Sequence, residues 1–299
     1  MIARLLAAVL PALALADLGY AQSPVIHRYA AGAPGLFVNA YLVETANGVV
    51  AIDGMLTETD SKGLRAKVDS IGKPLVAVLL THGHPDHYNG VTNLVAGRSV
   101  PVLATAGVDS VIRADDAAKE QQWGPRFKDE WPRHRTFPTR IVRDGEMVAF
   151  DGARFTVHAL GPGESKNDSY WVLQGQPVAA FIGDVVLNRV HAYTADGHTT
   201  EWLVNIQRVR KALPANAILY PGHGDPGGPE MLDWQRRYLV AYRDAVADLS
   251  GDRAALDDSA KALLVARMRE YLPSDRLEFL IGFGADPVAA ELARKRRRP

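Results

Sequence analysis

The spacing of apolar and polar positions changes period several times along the chain, and each change marks an element. Residues 35–54 read GLFVNAYLVETANGVVAIDG, two apolar runs around Asn47-Gly48. That dipeptide is a hairpin signal, so two strands are predicted, the second ending at Asp53-Gly54. In TETDSKGLRAKVDSIGK, residues 57–73, Leu64, Val68 and Ile71 take helical spacing behind a polar start. The next run, PLVAVLL, is almost wholly apolar, as expected of a strand covered on both faces. Residues 93–103 predict a helix end, a turn and a strand, and residues 109–122 a helix. The stretch 123–138, WGPRFKDEWPRHRTFP, mixes aromatics, arginine and proline without a regular period and reads as a loop or lid.

Strand patterns return at 147–150, 153–160, 170–173 and 178–182, separated by Gly and Asp turns. A helix over 200–213 leads to one more short strand in AILYPGHG, and residues 229–299 read as mostly helical. Two β-rich blocks, each closing with a strand-helix unit, predict an α/β protein with two sheets packed face to face and helices outside. Nothing in composition divides residues 22–299, so one domain is expected there.

Residues 1–21 follow another logic. Arg4 gives a positive start, Leu5 to Ala16 an apolar stretch, and Gly19-Tyr20-Ala21 a small-x-small cleavage site, the pattern of a signal peptide. The stretch is shorter than the roughly 20 residues of a membrane span and contains Pro11. A periplasmic or secreted protein with no stable membrane span after cleavage is therefore expected. Lysine plus arginine equals aspartate plus glutamate at 34 each, so no net field favours nucleic acid, and a small-molecule substrate fits better. The chain has no cysteine, so any metal site must be built from His, Asp and Glu.

Candidate chemistry concentrates directly after PLVAVLL, in THGHPDHYNG. Of nine histidines in the chain, His82, His84 and His87 fall within six positions, with Asp86 among them. A strand delivers this loop to one edge of the core, where polar groups converge. Two other residues carry suitable chemistry: Asp184, at a strand end after VAAFI, and His223, between two glycines that let the backbone bring an imidazole close to a metal.

The run His82-x-His84-x-Asp86-His87 matches in full the signature of the metallo-β-lactamase superfamily, which this chain resembles over most of residues 22–299. FIGDVV around Asp184 resembles the family's metal-aspartate strand, and LYPGHG its last histidine loop at His223. The resemblance implies a four-layer αβ/βα sandwich, here with C-terminal helices, and two divalent metal ions, usually zinc. It also exposes a misfit. Where the family usually carries a third histidine after a PGH turn, this chain has LGPGESKNDSY, with Glu164 in its place. Glutamate binds zinc through oxygen, which assigns His82, His84 and Glu164 to one metal and Asp86, His87 and His223 to the other, with Asp184 between them. Two competing readings give the vacant role to His158 on the preceding strand, or make Glu164 a proton carrier. An extra anion at the first metal weakens its pull on a bound water and suits manganese or iron.

The expected activity is hydrolysis of an ester, lactone, thioester or β-lactam by a metal-bridging hydroxide, with Asp86 orienting the nucleophile. His191 and His198, with Tyr193, lie in the loop after Asp184 and are expected to face the metals and hold substrate or its oxyanion; the competing reading makes them surface residues before a helix. Trp123, Phe127 and Trp131 recur every four residues and offer either core packing or an aromatic wall over the cleft. Two other functions stay open: an iron-dependent oxygenase acting on sulfur compounds, and a metal-binding module without catalysis.

Overall fold

The computed structural model describes residues 24–296; the signal-peptide expectation lies outside them. The strands and helices follow in the order β1 (Val25–Ala30), β2 (Asn39–Glu44), β3 (Val49–Ile52), α1 (Glu58–Ile71), β4 (Leu75–Leu79), α2 (Pro85–Tyr88), α3 (Val91–Val95), β5 (Val102–Thr105), α4 (Ala106–Phe127) and β6 (Arg140–Val142). The second half runs through β7 (Met147–Phe150), β8 (Ala153–Gly161), β9 (Asp168–Leu173), β10 (Ala179–Leu187), α5 (Thr199–Ala212), β11 (Ile218–His223), α6 (Glu230–Ser250), α7 (Asp258–Tyr271), α8 (Leu280–Phe283) and α9 (Ala285–Arg296).

Two sheets result, in the orders β1-β2-β3-β4-β5-β6 and β11-β10-β9-β8-β7. Strands β3 to β6 pair in parallel, as do β10 and β11, while the remaining neighbours are antiparallel. The near-continuous apolar runs follow from the layering, because alternate side chains of one strand enter different cores. Tyr41, Val43, Val50, Ile52, Leu79 and Leu103 meet Phe155, Val157, Trp171 and Phe181 between the sheets. Their neighbours Ala40, Leu42, Val49 and Ala51 face the other way, onto Leu64 and Val68 of α1 and Val108 and Ile112 of α4. Behind the second sheet, Ala180 and Ile182 pack on Trp202, Ile206 and Val209 of α5 and on α6 to α9. The αβ/βα sandwich is thereby established, with the C-terminal helices completing its fourth layer.

One helix runs further than expected. Helix α4 continues through Gly124-Pro125 to Phe127, so residues 123–127 are helical rather than loop. Pro125 forfeits a bond to the Gln121 carbonyl, but it does so in the last turn, where Gln121 is exposed and solvent can replace the donor.

The sheets are pinned to each other at one end. Tyr41 Oη donates to the Pro221 carbonyl at 2.7 Å, Asn39 Nδ2 to those of Pro221 and Gly224 at 3.0 and 2.7 Å, and Trp171 Nε1 to that of Leu80 at 2.9 Å. These ties fix β2 against β11 and the loop after it, and β9 against the end of β4.

Candidate metal centre

The loop after β4 turns into the short helix α2, and the turn presents its histidines inward. His82 forms an isolated bridge with Asp168, and His84 caps α2 with extended backbone. The β8–β9 turn brings in Glu164, held by its own strand: Asp168 accepts from the backbone N–H groups of Glu164 and Ser165 at 2.7 and 3.0 Å. Asp184 comes from β10 and His223 from the end of β11. The approach of these two strands requires Gly222, because a Cβ there would fall on Asp184 Oδ1 and 2.7 Å from His87 Cε1.

Three groups of donors meet: His82, His84 and Glu164; His82, His87 and Asp184; and Asp86, His87 and His223, each with ligand atoms within 4.8 Å of one another. Glu164 Oε2 lies 2.9 Å from His84 Nδ1 and 3.4 Å from His82 Nε2. Asp184 spans the groups, with Oδ1 3.4 Å from His87 Nε2 and Oδ2 3.3 Å from His223 Nε2. Asp86 Oδ2 is 3.2 Å from His223 Nε2. The fold thus brings Glu164, Asp184 and the signature residues together, with Asp184 grouped with His82 and His87. His158 is not part of it, being stacked on Tyr170 with ring centroids 4.8 Å apart.

The donor set fits a divalent cation. His82 Nε2, His87 Nε2, both Glu164 oxygens and Asp184 Oδ1 are buried without a hydrogen-bond partner, a costly condition for polar atoms unless a ligand satisfies them. Electrostatics agree. Burial pushes the Glu164 carboxyl above the usual range, against the pull of His84. Burial would also hold the two imidazoles down, yet Glu164 carries His84 up and Asp184 carries His223 up. Carboxylates and imidazoles here compete for protons in the space a cation would fill.

Surrounding groups orient the donors, and the sequence did not single them out. Asp53 adopts a left-handed conformation, φ 63°, that turns its carboxylate onto Thr81 N at 2.9 Å, Thr81 Oγ1 at 2.8 Å and His87 Nδ1 at 2.8 Å. Thr81 Oγ1 is also 3.0 Å from His82 Nδ1. Asp196 Oδ2 lies 3.3 Å from His84 Nε2. Such contacts fix the tautomer and rotation of each ring.

Two expected substrate residues are placed elsewhere. His191 is fully buried, its Nδ1 3.0 Å from Tyr238 Oη and its Nε2 3.0 Å from the Ser274 carbonyl, so both nitrogens are engaged by the C-terminal helical layer. His198 precedes α5, whose Thr199 and Thr200 donate to Glu291 of α9. Neither lines the cleft above the donors. Tyr193 does, with Trp123, Trp131 and Lys119. The aromatic wall is thus formed by Trp123 and Trp131, while Phe127 packs behind Trp131 with centroids 6.0 Å apart.

The family model described as "Metallo-beta-lactamase superfamily" matches residues 33–223, from the turn before β2 to the last donor histidine. The chain belongs to the metallo-beta-lactamase superfamily. Among curated members it is 33% identical over 118 residues to the uncharacterized protein YobT of Bacillus subtilis, covering 38% of this chain and 50% of that one. It is 26% identical over 262 residues to a hydroxyacylglutathione hydrolase of Rhodospirillum rubrum, covering 83% and 88%. The chain spans about half the length of the first curated relatives it matches. A solved beta-lactamase domain protein from Burkholderia ambifaria superposes with a TM-score of 0.68 at 18% identity, covering 92% of this chain and 87% of that one, a likeness of fold. Among the described residues no helix is long and apolar enough to cross a membrane.

Proposed function

We propose that this metallo-beta-lactamase superfamily member is an exported metal-dependent hydrolase that opens a carbonyl ester, lactone, thioester or β-lactam. The observation that carries the reading is the convergence of buried, unpartnered ligand atoms on the floor of a largely apolar cleft. A pair of divalent ions held there, zinc in the first instance, supplies a Lewis acid and a water of lowered pKa. The chain's own residues do the rest. His82, His84 and Glu164 hold one position, and Asp86, His87 and His223 the other, with Asp184 shared. Asp86 lines the cleft and its side chain is 14% exposed, against 0% for His87, so the role of orienting the attacking water falls to it. Trp123 and Trp131 exclude solvent from the bound acyl group. A hydrolase named for a thioester substrate among the relatives supports the reaction class; export rests on the signal-peptide pattern of residues 1–21.

The test is metal analysis of the purified protein followed by a panel of esters, lactones, thioesters and β-lactams. Turnover that is lost in Asp86→Ala with an unchanged far-UV spectrum supports the reading. The oxygen donor Glu164 favours a second one, iron-dependent oxygenation of a sulfur compound. Iron in the isolated protein, oxygen uptake and no turnover on the panel would select it.

A further inference from the structure

Lys119 has no role in the donor cluster, yet it is nearly buried, 9% exposed, at the cleft wall. It stands one helical turn before Trp123 on α4, so the two project from the same face. Its ammonium carries three N–H donors and uses them poorly. Tyr193 Oη is 3.4 Å from Nζ, near the limit of a hydrogen bond, and Asp196 Oδ1 is an ion-pair partner at 3.9 Å, beyond that limit. The other Asp196 oxygen is occupied by His84. The Tyr193 ring packs on His84 with centroids 5.0 Å apart, which sets the pair beside the first group of donors.

Burying an ammonium with unused donors is unfavourable unless a ligand completes them. Asp196 and the face of the Tyr193 ring, whose centroid is 5.2 Å from Nζ, hold the ammonium beside the cleft without using up its N–H donors. Elsewhere the cleft wall is apolar, with Leu56, Leu277 and Leu280 beside the two tryptophans.

We propose that Lys119 Nζ and Tyr193 Oη form a carboxylate subsite, so that the cleft selects an apolar acyl substrate bearing one carboxylate. As a statement about substrate the inference rests on the hydrolase reading above; as a statement about binding it does not.

The experiment compares 4-nitrophenyl monoesters of succinic, glutaric and adipic acids with the 4-nitrophenyl esters of butyric, pentanoic and hexanoic acids, on the metal-loaded full chain. At least one diacid ester is expected to exceed its neutral twin in kcat/KM by about tenfold or more, the scale of a charge-assisted hydrogen bond. Lys119→Met should bring that ratio close to one and Lys119→Arg should retain it. A ratio that survives in Lys119→Met overturns the proposal, including the case in which both esters slow equally. Should the wild-type protein hydrolyse none of these esters, the hydrolase reading fails separately. The subsite is then judged by tryptophan-fluorescence titration with N-phenyladipamic acid and with hexananilide. Tighter binding of the acid that is lost in Lys119→Met supports it; equal affinities, or no effect of the substitution, overturn it.

Discussion

Asp53 Oδ2 sits 2.8 Å from His87 Nδ1, and this contact decides which nitrogen of His87 faces the donor cluster. Nδ1 donates to the carboxylate, leaving Nε2 as the lone-pair atom directed at Asp184. The same carboxylate accepts from Thr81 Oγ1, whose remaining lone pair takes His82 Nδ1–H, so one residue orients two imidazoles. Asp53→Asn keeps a residue tolerant of the left-handed backbone but removes the charge. It should lower metal affinity by about tenfold or more with the thermal melt of the metal-free protein little changed. Competition with a chromogenic chelator measures this, and wild-type affinity in the variant would remove Asp53 from the centre.

Gly222 makes a sharper case, because its role is purely steric. A methyl group there meets Asp184 Oδ1 and lies 2.7 Å from His87 Cε1, neither of which can yield without breaking the cluster. Gly222→Ala should cost about 1–3 kcal/mol of stability and reduce metal content together with it. Elemental analysis and a thermal melt on one preparation read both; full metal loading with an unshifted melt would contradict the geometry.

The layered fold was legible because burial on both faces writes continuous apolar runs, as in β3, β4 and β10. Strand β1 left no such trace, since its residues are half-exposed or exposed, and β6 is only three residues long. The histidine cluster was legible for a local reason, its donors being neighbours in sequence. Asp53, Asp196 and Lys119 were not, because their partners lie 34, 112 and 74 positions away and, for Asp53, because a left-handed backbone aims the side chain. His191 misled for the same reason: its partners Tyr238 and Ser274 are 47 and 83 positions away.

Glu164 is where the chain departs from its family, and its replacement by histidine is informative. Burial keeps the carboxyl protonated above its usual range, so a metal entering the first position at neutral pH must first displace that proton. Each pH unit by which the carboxyl lies above the medium weakens zinc binding by about tenfold. Glu164→His restores a nitrogen donor whose neutral form binds zinc directly. The variant should release zinc to EDTA about tenfold more slowly or better at neutral pH, measured by stopped-flow dye exchange. A faster release would show that the carboxylate, with its charge, is the better donor in this setting.

The same displacement gives the pH dependence a definite sign. Glu164 is raised from 4.5 by burial, and Asp168, which holds its loop, is pushed up from 3.8 to about 6. For a carboxyl raised on folding, the protonated form is the one the fold favours. Its contribution is therefore fully present below the unfolded value and is lost as pH climbs through the folded one. Without metal the fold should thus lose stability as pH rises from about 5 to about 8, through these two groups and, above about 6.5, through the raised imidazoles of His84 and His223. Burial opposes the ionised form of Asp184 as well, yet His223 and His87 hold it well below 3.8, so its contribution is already constant across this window. Metal binding needs the ionised ligands, so it strengthens over the same interval. The difference in Tm between zinc-saturated and EDTA-treated protein should widen steadily across that range. In Glu164→Gln, which has no proton to give up at this position, the widening should shrink. A difference that stays constant with pH, or a Gln variant that follows the wild-type slope, would take Glu164 out of the ligand set.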